Sequence, residues 1–178
     1  MNSKNELEDT LEFLSSYPSG QETIILPSGK EVNVKKYFLK FKPWQGEPIN
    51  TYGGKAVIDF NGQPEYAETA VLKLFKQNGW DGVWVDKKLY RTGILGNDTV
   101  KLPDDKHEIL DQIRTNISGS GGCWDLFLWK DGQITFVELK KSKEDKVRSS
   151  QIGWLEESIK FGFNSSNYIF VEWNITGI

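Results

Sequence analysis

Gly121-Gly122-Cys123-Trp124-Asp125, followed by Glu138-Leu139-Lys140 and then Gln151, is the stretch on which the reading of this 178-residue chain turns. Trp124 to Trp129 reads as one strand and Ile134 to Lys140 as the next. Between them lies Lys130-Asp131-Gly132-Gln133, and Asp-Gly between two hydrophobic runs signals a tight hairpin. A loop symmetric about Asp131-Gly132 sets Lys130 opposite Gln133, Phe127 opposite Phe136 and Asp125 opposite Glu138. Lys140, two residues past Glu138, falls on the same face.

Like charges directly opposed across a strand pair repel. The flanking Trp, Leu, Phe and Val residues point to a hairpin covered on both faces. A buried carboxylate pair is costly unless something neutralises it. A divalent cation does so, with Lys140 as a third, positive element. Hard cations such as Mg²⁺ take a few carboxylate oxygens and keep waters that a substrate can replace. The plainer alternative is a strand pair with a salt bridge near its end, and a bulged loop would shift the register.

Working outward from the hairpin, Pro64 to Asn78 reads as a helix. Pro64 suits its first turn, and Gly79 closes it. Ala67, Ala70, Val71, Leu74 and Phe75 form its apolar face, with Glu68 at the edge beside Phe75. Glu68 can therefore look into a site between helix and sheet, or serve only as a partner of the helix dipole. Gly82 to Asp86 is the next strand. Residues 87–122 form an insertion with a short helix at Asp104–Asn116. Its Ser118–Gly122 end is either a flexible lead into Asp125 or a place where a nucleic-acid backbone comes close. After the hairpin, Asp145 to Phe161 reads as a helix ended by Gly162, with Val147, Trp154, Leu155, Ser158 and Phe161 on its apolar face. Gln151 sits within that face and needs hydrogen-bond partners, either nearby backbone or Lys140 and the site. Tyr168 to Trp173 is the last strand.

Residues 1–60 read as a β-rich extension packed on the core formed by residues 61–178. Glu6 to Ser15 suggests a short helix. Strands are expected at Glu22–Leu26, Glu31–Val34, Tyr37–Phe41 and Lys55–Phe60. Tyr52-Gly53-Gly54-Lys55 resembles part of a phosphate loop but lacks the spacing and the following helix.

Aromatic residues make up 13% of the chain and hydrophobic residues 38%, which fits a globular domain with a substantial core. The single cysteine rules out an internal disulfide, and the single histidine, His107, rules out a His-rich zinc site. No run approaches membrane-span length, no apolar signal core opens the chain, and a cytoplasmic protein is the expectation. The net charge of −3 does not advertise a nucleic-acid binder. One local patch does: five of the nine residues from Lys140 to Arg148 are basic, among them Lys141, Lys143 and Lys146. Charge runs are usually only solvated. Beside a metal site, this one makes a sensible phosphate clamp.

At Asp125 and Glu138-Leu139-Lys140, with Gln151 and Trp154-Leu155 on the following helix, the chain resembles the PD-(D/E)XK nuclease superfamily and, within it, the VRR-NUC group. The resemblance spans about residues 60–173. It departs at Trp124, where the group often has proline, and we read this as a change of packing. From residue 64 the elements run helix, strand, strand, strand, helix, strand. That order matches the restriction-endonuclease-like αβββαβ core, an α/β fold with a mixed sheet flanked by helices.

The resemblance implies a metal-dependent nuclease that hydrolyses phosphodiester bonds, with DNA the expected substrate. Asp125 and Glu138 would hold Mg²⁺ or Mn²⁺, with the Leu139 carbonyl and Glu68 completing the shell. Lys140 and Gln151 would join Asp125 and Glu138 in catalysis, and Lys141, Lys143, Lys146 and Arg148 would hold nucleic acid. The rival is a catalytically inactive nucleic-acid or protein-binding module on the same fold. The acidic composition leaves room for a partner protein that supplies targeting.

Overall fold

The computed structural model describes residues 10–51, 54–94, 98–117, 122–142 and 145–177. Among them the strands are β1 (Ser19–Ile25), β2 (Glu31–Pro43), β3 (Ile58–Phe60), β4 (Gln63–Glu65), β5 (Asp81–Asp86), β6 (Leu89–Arg91), β7 (Leu126–Lys130), β8 (Gln133–Lys141) and β9 (Tyr168–Ile175). The α-helices are α1 (Ala67–Gln77), α2 (Asp104–Thr115) and α3 (Ser149–Lys160). The fold is α/β, with one mixed, mostly antiparallel sheet in the order β4-β3-β2-β9-β8-β7-β5-β6, and β1 also pairs with β2. β8, β9 and β2 run parallel to one another. No helix is long and apolar enough to cross a membrane.

The β7–β8 hairpin has the expected register, with Lys130 opposite Gln133 and Phe127 opposite Phe136. Asp131 and Gly132 both have positive φ, 49° and 79°. Such a two-residue turn matches the twist of its strands. Side-chain alternation then sorts the core into two layers. On one face, Leu126, Leu128, Val137 and Leu139 pack under Ala67, Val71, Leu72 and Phe75 of α1. On the other, Phe127, Ile134 and Phe136 pack under Leu110 and Ile113 of α2 and Trp154 and Leu155 of α3. The sheet is therefore sandwiched between helices. Burying each such Val, Leu, Ile or Phe side chain contributes roughly 1.5–3 kcal/mol.

Several element boundaries differ from expectation. The segment set apart as an extension shares the central sheet, because β2 pairs with β9 from Lys35 to Phe41. Glu31–Val34 and Tyr37–Phe41 are one continuous strand, and the strand expected from Lys55 begins only at Ile58. Pro64 does not open a helix. Asn61-Gly62, with φ of 55° and 78°, turns the chain into a β3–β4 hairpin, and Pro64 sits in β4. Proline is tolerated in a sheet at such an edge strand. The helix start expected at Glu6 falls partly on residues 1–9, outside the described residues; Glu12–Ser16 is a 3-10 turn. The insertion adds β6 as well as α2. The last helix begins at Ser149, not Asp145, and Phe161 caps it while exposed, not buried on its apolar face.

Candidate active site

The site forms where the β7–β8 ladder ends. Its last pair is Leu126 with Val137. One residue beyond, the chain leaves the sheet. Gly122 has φ of 109°, and a Cβ there would lie 2.2 Å from the Ser150 carbonyl. Trp124 is buried between the rings of Tyr168 and Phe170, with centroids at 4.7 and 4.8 Å. Its indole N–H donates to the Gln151 carbonyl at 3.3 Å. The tryptophan before Asp125 thus locks this corner onto the first turn of α3.

Since β7 stops short, the Leu139 amide has no ladder partner on that edge. It donates instead to the Asp125 carboxylate (Oδ2) at 2.9 Å. In return, the Asp125 amide donates to Glu138 Oε2 at 3.3 Å. On the other side, the Val85 amide donates to the Asp125 carbonyl at 2.8 Å. In a strand, a residue's N–H and C=O address the same neighbouring strand. The Leu139 carbonyl therefore faces the edge that β7 has vacated, as its amide does.

Glu138, Lys140 and Gln151 are 3%, 8% and 8% exposed, so their polar groups must satisfy one another. The Lys140 ammonium donates to Glu138 Oε1 at 2.8 Å, to Gln151 Oε1 at 3.1 Å and to the Lys146 carbonyl at 3.1 Å. All three of its donors are used. The Gln151 amide nitrogen donates to Glu138 Oε1 at 2.5 Å, and its oxygen also accepts from the Arg148 amide at 2.9 Å. The two readings of Gln151 hold together: it caps the α3 N-terminus and reaches the site.

Burial drives the Asp125 carboxyl well above the ordinary carboxylate range, and the charges of Glu138 and then Glu68 push the same way. Burial also raises Glu138, against the opposing charge and hydrogen bond of Lys140. Cys123, two residues before Asp125, is pushed far up by burial.

Glu68 stands apart from this group. It lies on α1, which packs on the opposite face of the sheet from Glu138 and Lys140, and its carboxylate is ion-paired with Lys55. It acts on Asp125 through space. Among the described residues, no group of three or more His, Cys, Asp or Glu side chains comes together to hold a metal. The oxygens that converge are those of Asp125, Glu138 and the Leu139 backbone.

Lys146 and Arg148 are exposed at the approach to α3. Lys141 is half-buried, and its amide donates to Asp145 Oδ2 at 2.9 Å. Lys143 lies outside the described residues, as do Tyr52 and Gly53 of the phosphate-loop-like stretch and Ser118–Gly121 of the glycine-rich lead.

Lys55 is the residue that pattern alone missed. Its ammonium pairs with Glu68, lies 5.0 Å from the centre of the Trp84 ring and weakly opposes the upward push of burial on the Asp125 carboxyl. It opens the strand expected at Lys55–Phe60 but sits in the loop before β3, and only the fold brings it here.

Comparison with protein-family models, curated proteins and solved structures finds no match for this chain.

Proposed function

We propose that this protein is a metal-dependent nuclease with a restriction-endonuclease-like, VRR-NUC-like core, acting on phosphodiester bonds of nucleic acid, with DNA the expected substrate. The observation that carries the proposal is the meeting of Asp125, Glu138, Lys140 and Gln151 at the open end of β7 and β8, linked by hydrogen bonds of 2.5 to 3.3 Å. The acidic composition leaves room for a targeting partner.

The donor set fits a hard divalent cation. Two carboxylates and one backbone carbonyl are the oxygens that Mg²⁺ or Mn²⁺ prefers. The raised proton affinity of both carboxylates is the electrostatic demand that a cation relieves. Asp125 and Glu138 would hold the ion with the Leu139 carbonyl. Glu68 would join only by exchanging Lys55 for the ion. The ion supplies Lewis-acid polarisation of a phosphoryl group and a lowered pKa for a bound water.

The chain's own residues do the rest. With Glu138 holding the cation, one N–H of the Lys140 ammonium would be free to donate to the substrate. The Lys146 carbonyl and Gln151 Oε1 still hold the ammonium in place. Lys140 then stabilises the negative charge that develops on the phosphoryl oxygens. The positive end of the α3 dipole beside it favours the same anion. Lys146 and Arg148 screen the flanking phosphates.

One observation favours a second reading, a non-catalytic binding module. Lys140 already answers the charge of Glu138, and Asp125 already completes the strand end. Each group therefore has a structural role as well. A cleavage assay on single-stranded, duplex and branched DNA and RNA separates the two, run with Mg²⁺, with Mn²⁺ and with chelator. Cleavage that depends on the metal and on Lys140 supports the enzyme. No cleavage of any substrate with either metal leaves the binding module.

A further inference from the structure

A cleft of about 1160 Å³ opens between the β5–β6 hairpin, α2 and the Gly122–Cys123 segment. Its wall includes Val85, Tyr90 and Trp154, which belong to the same face of the sheet as Phe127 and Phe136. By strand alternation that is also the face of Glu138 and Lys140, and Asp125 lies one residue before β7. Cys123 lines the cleft two residues before Asp125. The cleft and the candidate active site therefore adjoin on one surface.

The cleft's charge runs against the chain's composition. Lys87, Lys88, Arg91 and Arg114 line it, against one carboxylate, Asp86, which pairs with Arg91 at 2.8 Å. The whole chain carries −3. Lys87 and Lys88 are exposed at the tip of the β5–β6 turn. Arg114 is fixed at the opposite wall. Its guanidinium lies 5.8 Å from the centre of the Tyr90 ring and 5.9 Å from that of Trp154, donates to the Tyr90 hydroxyl at 2.8 Å and pairs with Asp111 Oδ1 at 3.4 Å. A planar cation pre-set between aromatic rings is suited to phosphate. The volume exceeds the roughly 300–1,000 Å³ of a usual small-molecule pocket and suits a polymer segment.

We propose that this cleft binds the phosphodiester backbone of the nucleic-acid strand that leads to Asp125, with Lys87, Lys88 and Arg114 as its phosphate contacts. The inference rests on the nuclease reading for the identity of the polyanion. The β6 and α2 elements of the 87–122 insertion are then the substrate-binding wall of the enzyme.

The test uses the full chain and a labelled single-stranded 20-nucleotide DNA, with chelator present so that nothing is cut. The variant is Lys87→Asn with Lys88→Ser; Lys87 has φ of 57°, which asparagine tolerates. Wild type should bind, because the cleft's cations need no metal. The variant should bind at least tenfold more weakly near 0.1 M salt. Its salt slope should fall by about 1.4, two contacts at roughly 0.7 each for a single strand. Unchanged affinity and slope would overturn the proposal. So would displacement by polyglutamate as effective as by unlabelled DNA, which would point to an acidic protein partner. Cleavage with Mg²⁺ is measured in parallel. Wild type that binds without cutting, with binding lost in the variant, upholds the cleft and removes the nuclease. Wild type that cuts, with the variant binding equally well, removes the cleft alone. Wild type that neither binds nor cuts removes both.

Discussion

Asp125 and Leu139 are joined across the place where the β7–β8 ladder has already ended, the Leu139 amide donating to the Asp125 carboxylate at 2.9 Å. The carboxylate stands in for a missing strand neighbour. That bond brings its negative charge to the same strand end as Glu138, whose Oε2 accepts from the Asp125 amide. One side chain thus completes the sheet and loads the site with repulsion. Substitutions that separate the two roles are the informative ones.

Asp125→Asn keeps an oxygen acceptor for Leu139 and removes the charge. Without metal, both carboxyls hold protons more tightly in the folded than in the unfolded chain. Their favourable contribution is fully present below the unfolded pKa of about 4 and is lost as pH rises through the raised folded values. With chelator present, Asp125→Asn should therefore melt near wild type at pH 5 and progressively above it toward pH 8. A difference that does not change with pH would show that the pair is not repelling.

Lys140 and Glu138 form a buried ion pair, so removing one partner strands the other. Lys140→Ala should cost about 3 kcal/mol in urea unfolding, and Lys140→Ala with Glu138→Gln should cost less than the sum of the two single changes by at least about 1 kcal/mol. Cleavage by Lys140→Ala should fall at least about 100-fold, while Mn²⁺ binding persists through Asp125 and Glu138. Full activity in that variant would count for the binding module.

Gln151→Leu removes a cap and a site contact together. Loss of the cap should cost about 1 kcal/mol. Loss of the Lys140 acceptor should lower kcat with little change in KM. Gln151→Glu restores the acceptor for the Arg148 amide but sets a second carboxylate against Glu138 Oε1. It should recover stability at acidic pH and not recover kcat at neutral pH. Recovery of kcat in Gln151→Glu would reduce Gln151 to its capping role.

Metal should stabilise the folded chain by mass action. At roughly 100 times its Kd, Mg²⁺ or Mn²⁺ should add about 2.7 kcal/mol to wild type and nothing to Asp125→Ala. Thermal melts with metal titrated in, beside the same titration of cleavage, check this. Equal shifts in both proteins would place the ion elsewhere.

Lys146→Ala and Arg148→Ala act at exposed positions. Each should weaken substrate binding and reduce its salt slope by about 1, with kcat largely unchanged. A fall in kcat at constant affinity would move these residues from substrate contact to the chemistry.

The sequence by itself determined the features that depend on near neighbours. Asp131-Gly132 set the hairpin and hence its register, because positive φ at two successive residues is a local demand. Period-two alternation then put Glu138 and Lys140 on one face. Asn61-Gly62 carries the same kind of local signal and marks the β3–β4 hairpin, yet Pro64 reads as a helix start if that turn is overlooked. Only the tertiary structure decided what distant segments share. β2 lies beside β9 although only alternate residues of β2 are buried, and nothing in either strand names its partner. Lys55 meets Glu68, Glu68 stays on the α1 side, and Gln151 divides its oxygen between Lys140 and Arg148. The basic cleft arises only when the β5–β6 turn and α2 converge. Local backbone preferences act over a few residues and can be read in order, whereas the burial that joins distant segments depends on the whole folded surface.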